Sequence, residues 1–187
     1  MKKWKCKKSE VIIDTKFFKA RKDIVELPTK ELLEWIYCFT NDVVVILAIT
    51  KERKIIMVRQ YRYFAEDEAI EFPSGLVNDN ETIEDGAKRE FEEETGFKCN
   101  SLVKLGSFYE AFGQMKRKTH IFFARDLIKS KQNLDSGEDS FEDIEVELVD
   151  FNEAVNLALQ NKIIVTDSAL AILLLKEKID RKEIILD

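Results

Sequence analysis

Residues 75–97 read GLVNDNETIEDGAKREFEEETGF, and this stretch decides how the chain folds. The spacing predicts a helix over 82–95, because Ile83, Ala87 and Phe91 recur at i, i+4 and i+8 and give it one apolar face. Thr82, three residues ahead of Asp85, resembles a capping box, and Gly96 is a natural stop. Glu90, Glu93 and Glu94 fall at i, i+3 and i+4, so their three carboxylates share one face within one turn. Like charges that close repel by roughly a few tenths of a kcal/mol per pair on an exposed helix, and more in a cleft. A hard divalent cation relieves the repulsion, since Mg²⁺ and Mn²⁺ prefer carboxylate and water oxygens. Arg89, four residues before Glu93, is expected to brace that carboxylate through a bidentate pair. Glu92 is expected to point elsewhere into solvent, and Glu81 to be favoured by the exposed amides at the helix start. Gly75, just past Pro73, is expected to bend the backbone and aim the carbonyl of Ser74 at the ion.

Working outward, residues 10–27 alternate loosely (Val11, Ile13, Phe17, Ile24, Val25, Leu27) and predict short strands before Pro28. Residues 43–49 form a β-branched run closed by a charged turn, and 55–58 resume it. The pair predicts a hairpin whose first strand is buried on both faces. Pro73 and Gly75 then break the chain. Beyond the helix, strands are expected over 102–108, 119–124 and 144–149, with a polar, acidic loop over 130–143. Helices are expected over 152–159 and 168–179, the second opened by Asp167 as N-cap. The mixture predicts an α/β layered domain over 41–187, with 1–40 as a separate strand unit.

Composition narrows the function. At 187 residues the chain suits one domain with at most a small appendage. About 70% of the unfolded surface can be buried at that size, so no disulfide or metal staple is needed. Thirty Lys and Arg face 36 Asp and Glu, net −6, which counts against general nucleic-acid affinity. A phosphate-bearing substrate stays open if a divalent cation supplies the positive charge. Cys6, Cys38 and Cys99 form no CxxC pair, and the single His120 cannot complete a thiolate–imidazole zinc site. They read as free thiols in a reducing compartment. The basic start is followed by no apolar stretch, and the longest apolar runs, 43–49 and 169–175, are too short to span a bilayer. A cytoplasmic protein without membrane or nucleic-acid partners is expected.

Gly, five residues, Glu, seven residues, then Arg-Glu-apolar-x-Glu-Glu-x-Gly-apolar is met at every position from Gly75 to Phe97. With common residues each near ~7% of usage, a chance match is rarer than about one in ten million. This pattern is the Nudix box, and the chain resembles a Nudix hydrolase. Val58-Arg59-Gln60-Tyr61-Arg62 followed by Glu71-Phe72-Pro73-Ser74-Gly75, the N-terminal strands, the strand containing His120 and the two last helices extend the resemblance to the ADP-ribose pyrophosphatase subfamily. The resemblance implies an α/β/α sandwich of the α+β class, with a mixed central sheet and a small N-terminal β-strand unit that helps build a homodimer. It implies cleavage at the pyrophosphate of a nucleoside diphosphate linked to another moiety, ADP-ribose or a nucleotide sugar foremost. The rival is a Nudix-fold sensor that binds a nucleotide with little turnover, which has no need of a complete box.

By position, the resemblance makes Glu90, Glu93, Glu94 and the Ser74 carbonyl ligands of Mg²⁺ or Mn²⁺. It gives Arg89 a bracing role and Glu93 a catalytic one, and Arg59, Gly113 and Arg117 are expected to contact substrate. A loop acid acts as general base, with Glu142 closest to the family position, Glu138 second, and Asp139 and Asp143 also available. Arg62 and Glu71 match a pair read here as structural in preference to substrate-binding. The chain departs from the subfamily in 109–120, where Phe112 replaces a proline and Arg117 stands in place of an acid. That loop is therefore basic and aromatic, suited to extra phosphate or to stacking on a base. His120 reads as a packed strand residue, and Trp35 and Phe39 as core aromatics in preference to a stacking platform.

Overall fold

The computed structural model describes residues 2–16, 18–134 and 143–186. In chain order they form β1 (Lys5–Asp14), β2 (Lys19–Glu26), β3 (Leu32–Phe39), β4 (Val43–Ala48), β5 (Lys54–Arg62), β6 (Asp67–Glu71), β7 (Ser74–Leu76), α1 (Ile83–Thr95), β8 (Phe97–Tyr109), β9 (Met115–Lys116), β10 (Lys118–Lys129), β11 (Glu145–Asp150), α2 (Phe151–Leu159) and α3 (Thr166–Asp180). The chain divides into two compact units, one of Met1–Asp42 with Phe108–Lys118, the other of Val43–Ser107 with Thr119–Asp187.

The first unit is a sheet of order β1-β2-β3-β9. β1, β2 and β3 run antiparallel, and β9 adds to β3 in parallel through Cys38 and Met115. Strand β3 lies outside the sequence expectation, yet its burial alternates as a strand must. Leu33, Trp35 and Tyr37 are half-buried between exposed Leu32, Glu34 and Ile36. β1 is exposed along its whole length.

The second unit is layered, and the register of β4 makes it so. Val43, Val45 and Leu47 enter one core cluster with Ile121, Phe123 and the buried faces of α2 and α3, among them Ala154, Ala171 and Leu175. Val44, Ile46 and Ala48 enter the other with Phe122, Ala124 and the α1 residues Ala87 and Phe91. Alternate residues of one strand thus serve opposite layers, giving helices on both sides of the strands. β4 is accordingly buried at every position. It sits in a mixed sheet of order β7-β4-β10-β8, parallel to β10 and antiparallel to β7. Among the described residues, no helix is long and apolar enough to cross a membrane.

Three local expectations are corrected. The β4–β5 hairpin is a single bridge, Ile49 to Ile55, after which β5 leaves for a separate sheet of order β11-β5-β6. Both strands are buried on two faces, so each needs a layer of its own and a flat two-stranded ribbon cannot serve. Pro73 and Gly75 do not break the chain; Ser74–Leu76 is a short edge strand on β4, tolerable for Pro73 because it lies just outside the strand. Helix α3 begins at Thr166, two residues earlier than Ser168: its N-cap is Val165, and Asp167 lies in the first turn.

Candidate active site

Helix α1 begins and ends on its own sequence signals. The Thr82 hydroxyl oxygen accepts from the Asp85 amide at 3.1 Å and also donates to the Asp85 carboxylate at 2.7 Å, so the acid serves the cap's side chain. Gly96 is left-handed at φ 70°, and its amide donates to the Glu92 carbonyl. Ala87 and Phe91, fully buried, lock the helix's rotation. With that face inward, the acidic face is fixed.

Arg89 is the hub. Its Nε and Nη2 donate to Glu81 Oε2 and Oε1 at 3.1 and 2.7 Å, a bidentate pair. Its Nη1 donates to Glu90 Oε1 at 2.8 Å and Glu93 Oε2 at 2.9 Å, and Nη2 also reaches the Leu76 carbonyl at 3.0 Å. The fork predicted for Glu93 therefore goes to Glu81, while Glu93 and Glu90 share one nitrogen. The geometry follows from planarity: the Nε–Nη2 edge matches a carboxylate approaching from the helix start, leaving Nη1 for the two acids on the helix. Glu81 Oε1 further accepts from the Asn78 amide at 2.7 Å. Arg89 holds the Glu81 carboxyl below the usual carboxylate range, and Glu81 in turn pushes the guanidinium up.

The carboxylates are not splayed into solvent. Glu94 is 4% exposed, and its Oε2 accepts from the Ser74 amide at 3.0 Å. The Glu90 carboxylate rests on the bare Cα of Gly75, where a Cβ would stand 2.1 Å from its Cδ. Gly75 has no positive φ, so it is required here for close approach and not for a bend. The ladder fixes Ser74 as well. The Ile46 amide donates to the Pro73 carbonyl, so the next pair along, Val45 with Ser74, is a non-hydrogen-bonded one. The amide and carbonyl of Ser74 then both point off the ladder, on the side where the amide meets Glu94.

The start of the loop expected over 130–143 closes the other end of α1, a role its composition did not announce. The Ser130 amide donates to the Gly96 carbonyl, the Asn133 amide to the Glu93 carbonyl, and the Gln132 side-chain amide to the Glu94 carbonyl at 2.8 Å and the Ile144 carbonyl at 3.0 Å. These bonds satisfy carbonyls that a helix end leaves open. Glu92, expected to be solvated only, accepts from the Ser130 hydroxyl at 2.7 Å and the Lys98 ammonium at 3.2 Å, which lower its pKa. No local spacing announces such long-range bonds.

The remaining expected residues fall as follows. Arg59, on β5, pairs with Glu147 of β11 and, at 3.7 Å, Glu68 of β6. Arg62 forms a two-pronged pair with buried Glu71 at 2.8 and 2.7 Å, tying the end of β5 to the end of β6. His120 is buried, its Nδ1 2.8 Å from the Ser107 hydroxyl. Arg117 pairs with Glu110, and Gly113 has open space where a Cβ would stand. Asp143 is exposed next to β11, whereas Glu138, Asp139 and Glu142 lie outside the described residues.

Among the described residues no three histidine, cysteine or acidic side chains close on one point. Arg89 instead compensates Glu90 and Glu93 with a single positive charge. The chemistry of the donor set still fits a hard divalent cation. It offers only oxygens, with Glu90 and Glu94 one helical turn apart, both held at the Ser74–Gly75 strand edge.

Known proteins resemble this chain in sequence and fold. The NUDIX domain model matches residues 40–181. The methanol dehydrogenase activator of Bacillus methanolicus is 32% identical over 165 residues, 88% of each chain. The ADP-ribose pyrophosphatase of Bacillus subtilis strain 168 is 36% identical over 135 residues, 72% of each chain. A crystal structure of an ADP compounds hydrolase superposes with a TM-score of 0.83 at 21% identity, covering 97% of each chain, a likeness of fold.

Proposed function

This chain belongs to the NUDIX family and is a hydrolase of diphosphates, and we propose that it cleaves, with a divalent cation, the pyrophosphate of a nucleoside diphosphate joined to another moiety. ADP-ribose or a nucleotide sugar is the leading substrate. The observation that carries this reading is the gathering of Glu90, Glu93 and Glu94 on one face of α1, screened from solvent and held at the β7 edge by Arg89, Gly75 and Ser74.

Glu90, Glu94 and the Ser74 carbonyl would hold Mg²⁺ or Mn²⁺, with Glu93 as a further ligand. When bound, such an ion neutralises the diphosphate and makes water acidic enough to attack. Arg89 keeps Glu90 and Glu93 in place, and Glu81 keeps Arg89 in place. Glu142 takes the proton of the attacking water; one bridging phosphorus–oxygen bond breaks as the new one forms, and two phosphate monoesters leave. Arg59, Gly113 and Arg117 are the proposed substrate contacts. The two arginines would each exchange a carboxylate, Glu147 or Glu110, for phosphate oxygens.

The exposed apolar residues of the first unit, Trp4, Val11, Ile12, Ile13, Leu32 and Ile36, support its proposed role as the element that makes a homodimer. Light scattering on the purified chain reads the dimer directly. Cys6, Cys38 and Cys99 are free thiols, in keeping with the proposed cytoplasmic location.

The reading is tested with a panel of nucleoside diphosphate derivatives in Mg²⁺, Mn²⁺ and EDTA, with products resolved by mass. Two monophosphate products that vanish in EDTA are expected. Turnover that survives EDTA refutes the metal's part, and binding without any product leaves the sensor reading in its place.

A further inference from the structure

A second concave site lies wholly inside the first unit. It is a cavity of about 290 Å³ lined by Arg21, Tyr37, Phe39, Thr40, Asp42, Tyr109, Lys116, Arg117 and Lys118. In a chain of net charge −6, four cations meet here around one lining carboxylate, and counting the adjoining Asp23 and Glu110 still leaves the cations in excess.

The positive charge is incompletely answered. The Nε groups of Arg21 and Arg117 are buried with no hydrogen-bond partner among the described residues, an arrangement that costs free energy unless something compensates the guanidinium. Arg117 donates through Nη2 to the Glu110 carboxylate. Arg21 lies over the Phe39 ring at 4.9 Å and Lys118 Nζ over the Tyr109 ring at 5.1 Å, so aromatic faces hold both cations in position. The Asp42 carboxylate accepts from the Lys118 amide at 2.9 Å. The walls are thus preset aromatic rings with fixed positive heads, arranged for an anion that accepts from several donors at once.

We propose that this cavity binds a phosphate group, inorganic or carried by a small phosphorylated molecule, through Arg21, Lys116, Arg117 and Lys118. A phosphate offers oxygens on every side and matches a forked guanidinium, and the cavity's volume is on the scale of a small ligand. The proposal needs neither the α1 carboxylates nor a metal ion; it shares Arg117 with the proposed substrate contacts, and Arg21 and Lys118, which lie outside that set, carry its test.

The test is calorimetric titration of the full chain in EDTA with inorganic phosphate, pyrophosphate and ADP, at low salt. Saturable binding of at least one is expected, and the ranking of the three distinguishes the free anion from a nucleotide. Arg21→Gln and Lys118→Gln, each checked for native melting, should weaken it roughly tenfold, the scale of one hydrogen bond to a charged group. The double variant Glu90→Gln/Glu94→Gln should leave it within twofold. Absence of saturable binding for all three ligands, or binding that both cavity variants retain unchanged, overturns the proposal. Loss of hydrolysis in Mg²⁺ alone bears only on the proposed reaction.

Discussion

Gly75→Ala separates what the α1 acids do for stability from what they do for chemistry. The added methyl would stand 2.1 Å from Glu90 Cδ and 2.3 Å from both carboxylate oxygens. Ordinary contact is about 3.5–4.0 Å between carbons, so the carboxylate must withdraw by more than about 1 Å. The obstacle is the end of a flexible side chain and not backbone, so the fold can accommodate it. The Arg89–Glu90 hydrogen bond at 2.8 Å is lost or lengthened, a cost of about 1–1.5 kcal/mol. Gly75 has no positive φ, so alanine also recovers about 0.4–1 kcal/mol from the unfolded state. The net change is within about 1 kcal/mol, or roughly 2–4 °C in Tm for a chain of this size. Turnover is another matter, since a 1 Å displacement of a positioned group costs about 100-fold. Calorimetric melting and kcat for ADP-ribose with Mg²⁺, measured on one preparation, decide it. Wild-type turnover in the variant refutes the need for Glu90 in that seat. A fall of more than about 10 °C in Tm refutes the claim that the contact is cheap to relocate.

Glu81→Gln should remove an acid-dependent share of stability. The folded pKa of Glu81 is depressed by Arg89, so its contribution is complete above the unfolded value of about 4.3 and lost as pH falls through the folded one. The stability gap between wild type and variant, from urea unfolding, should be constant from about pH 7 to 5 and shrink below about 4.3. Glu142→Gln should lower kcat by about 10²–10⁴ with KM and Tm unmoved; if Glu138→Gln does so instead, the base is Glu138. Phe91→Ala empties a fully buried site between α1 and the strands and should cost about 3–5 kcal/mol by denaturant titration.

The helix bearing the box was legible because its signals are local: Thr82, Ala87, Phe91 and Gly96 act within a turn or two of themselves. Burial of β4 on both faces was legible for the same reason, as an unbroken run of β-branched and aliphatic residues. Partner choice was not. That Arg89 gives its fork to Glu81 depends on how the 76–82 segment folds back, and that β5 leaves β4 depends on which layer each strand must fill. Strand β3 was missed because Glu34 and the exposed Leu32 and Ile36 blur its period. The cavity of the first unit was half visible, in the basic and aromatic residues of 109–118. Its other wall, Arg21, Tyr37 and Phe39, comes from strands about seventy to a hundred positions earlier, which no window could join.

The Gln132 amide grips the Glu94 and Ile144 carbonyls together, so the chain departs from and returns to one point at the end of α1. The stretch that leaves at Gln132 and returns at Ile144 thus begins and finishes at a fixed anchorage. Doubling the length of a stretch so tethered costs only about 0.6 kcal/mol in closure entropy. Sequence there can therefore change length while the box beneath keeps its shape, and the proposed base, Glu142 or Glu138, is what ties the insert to the chemistry.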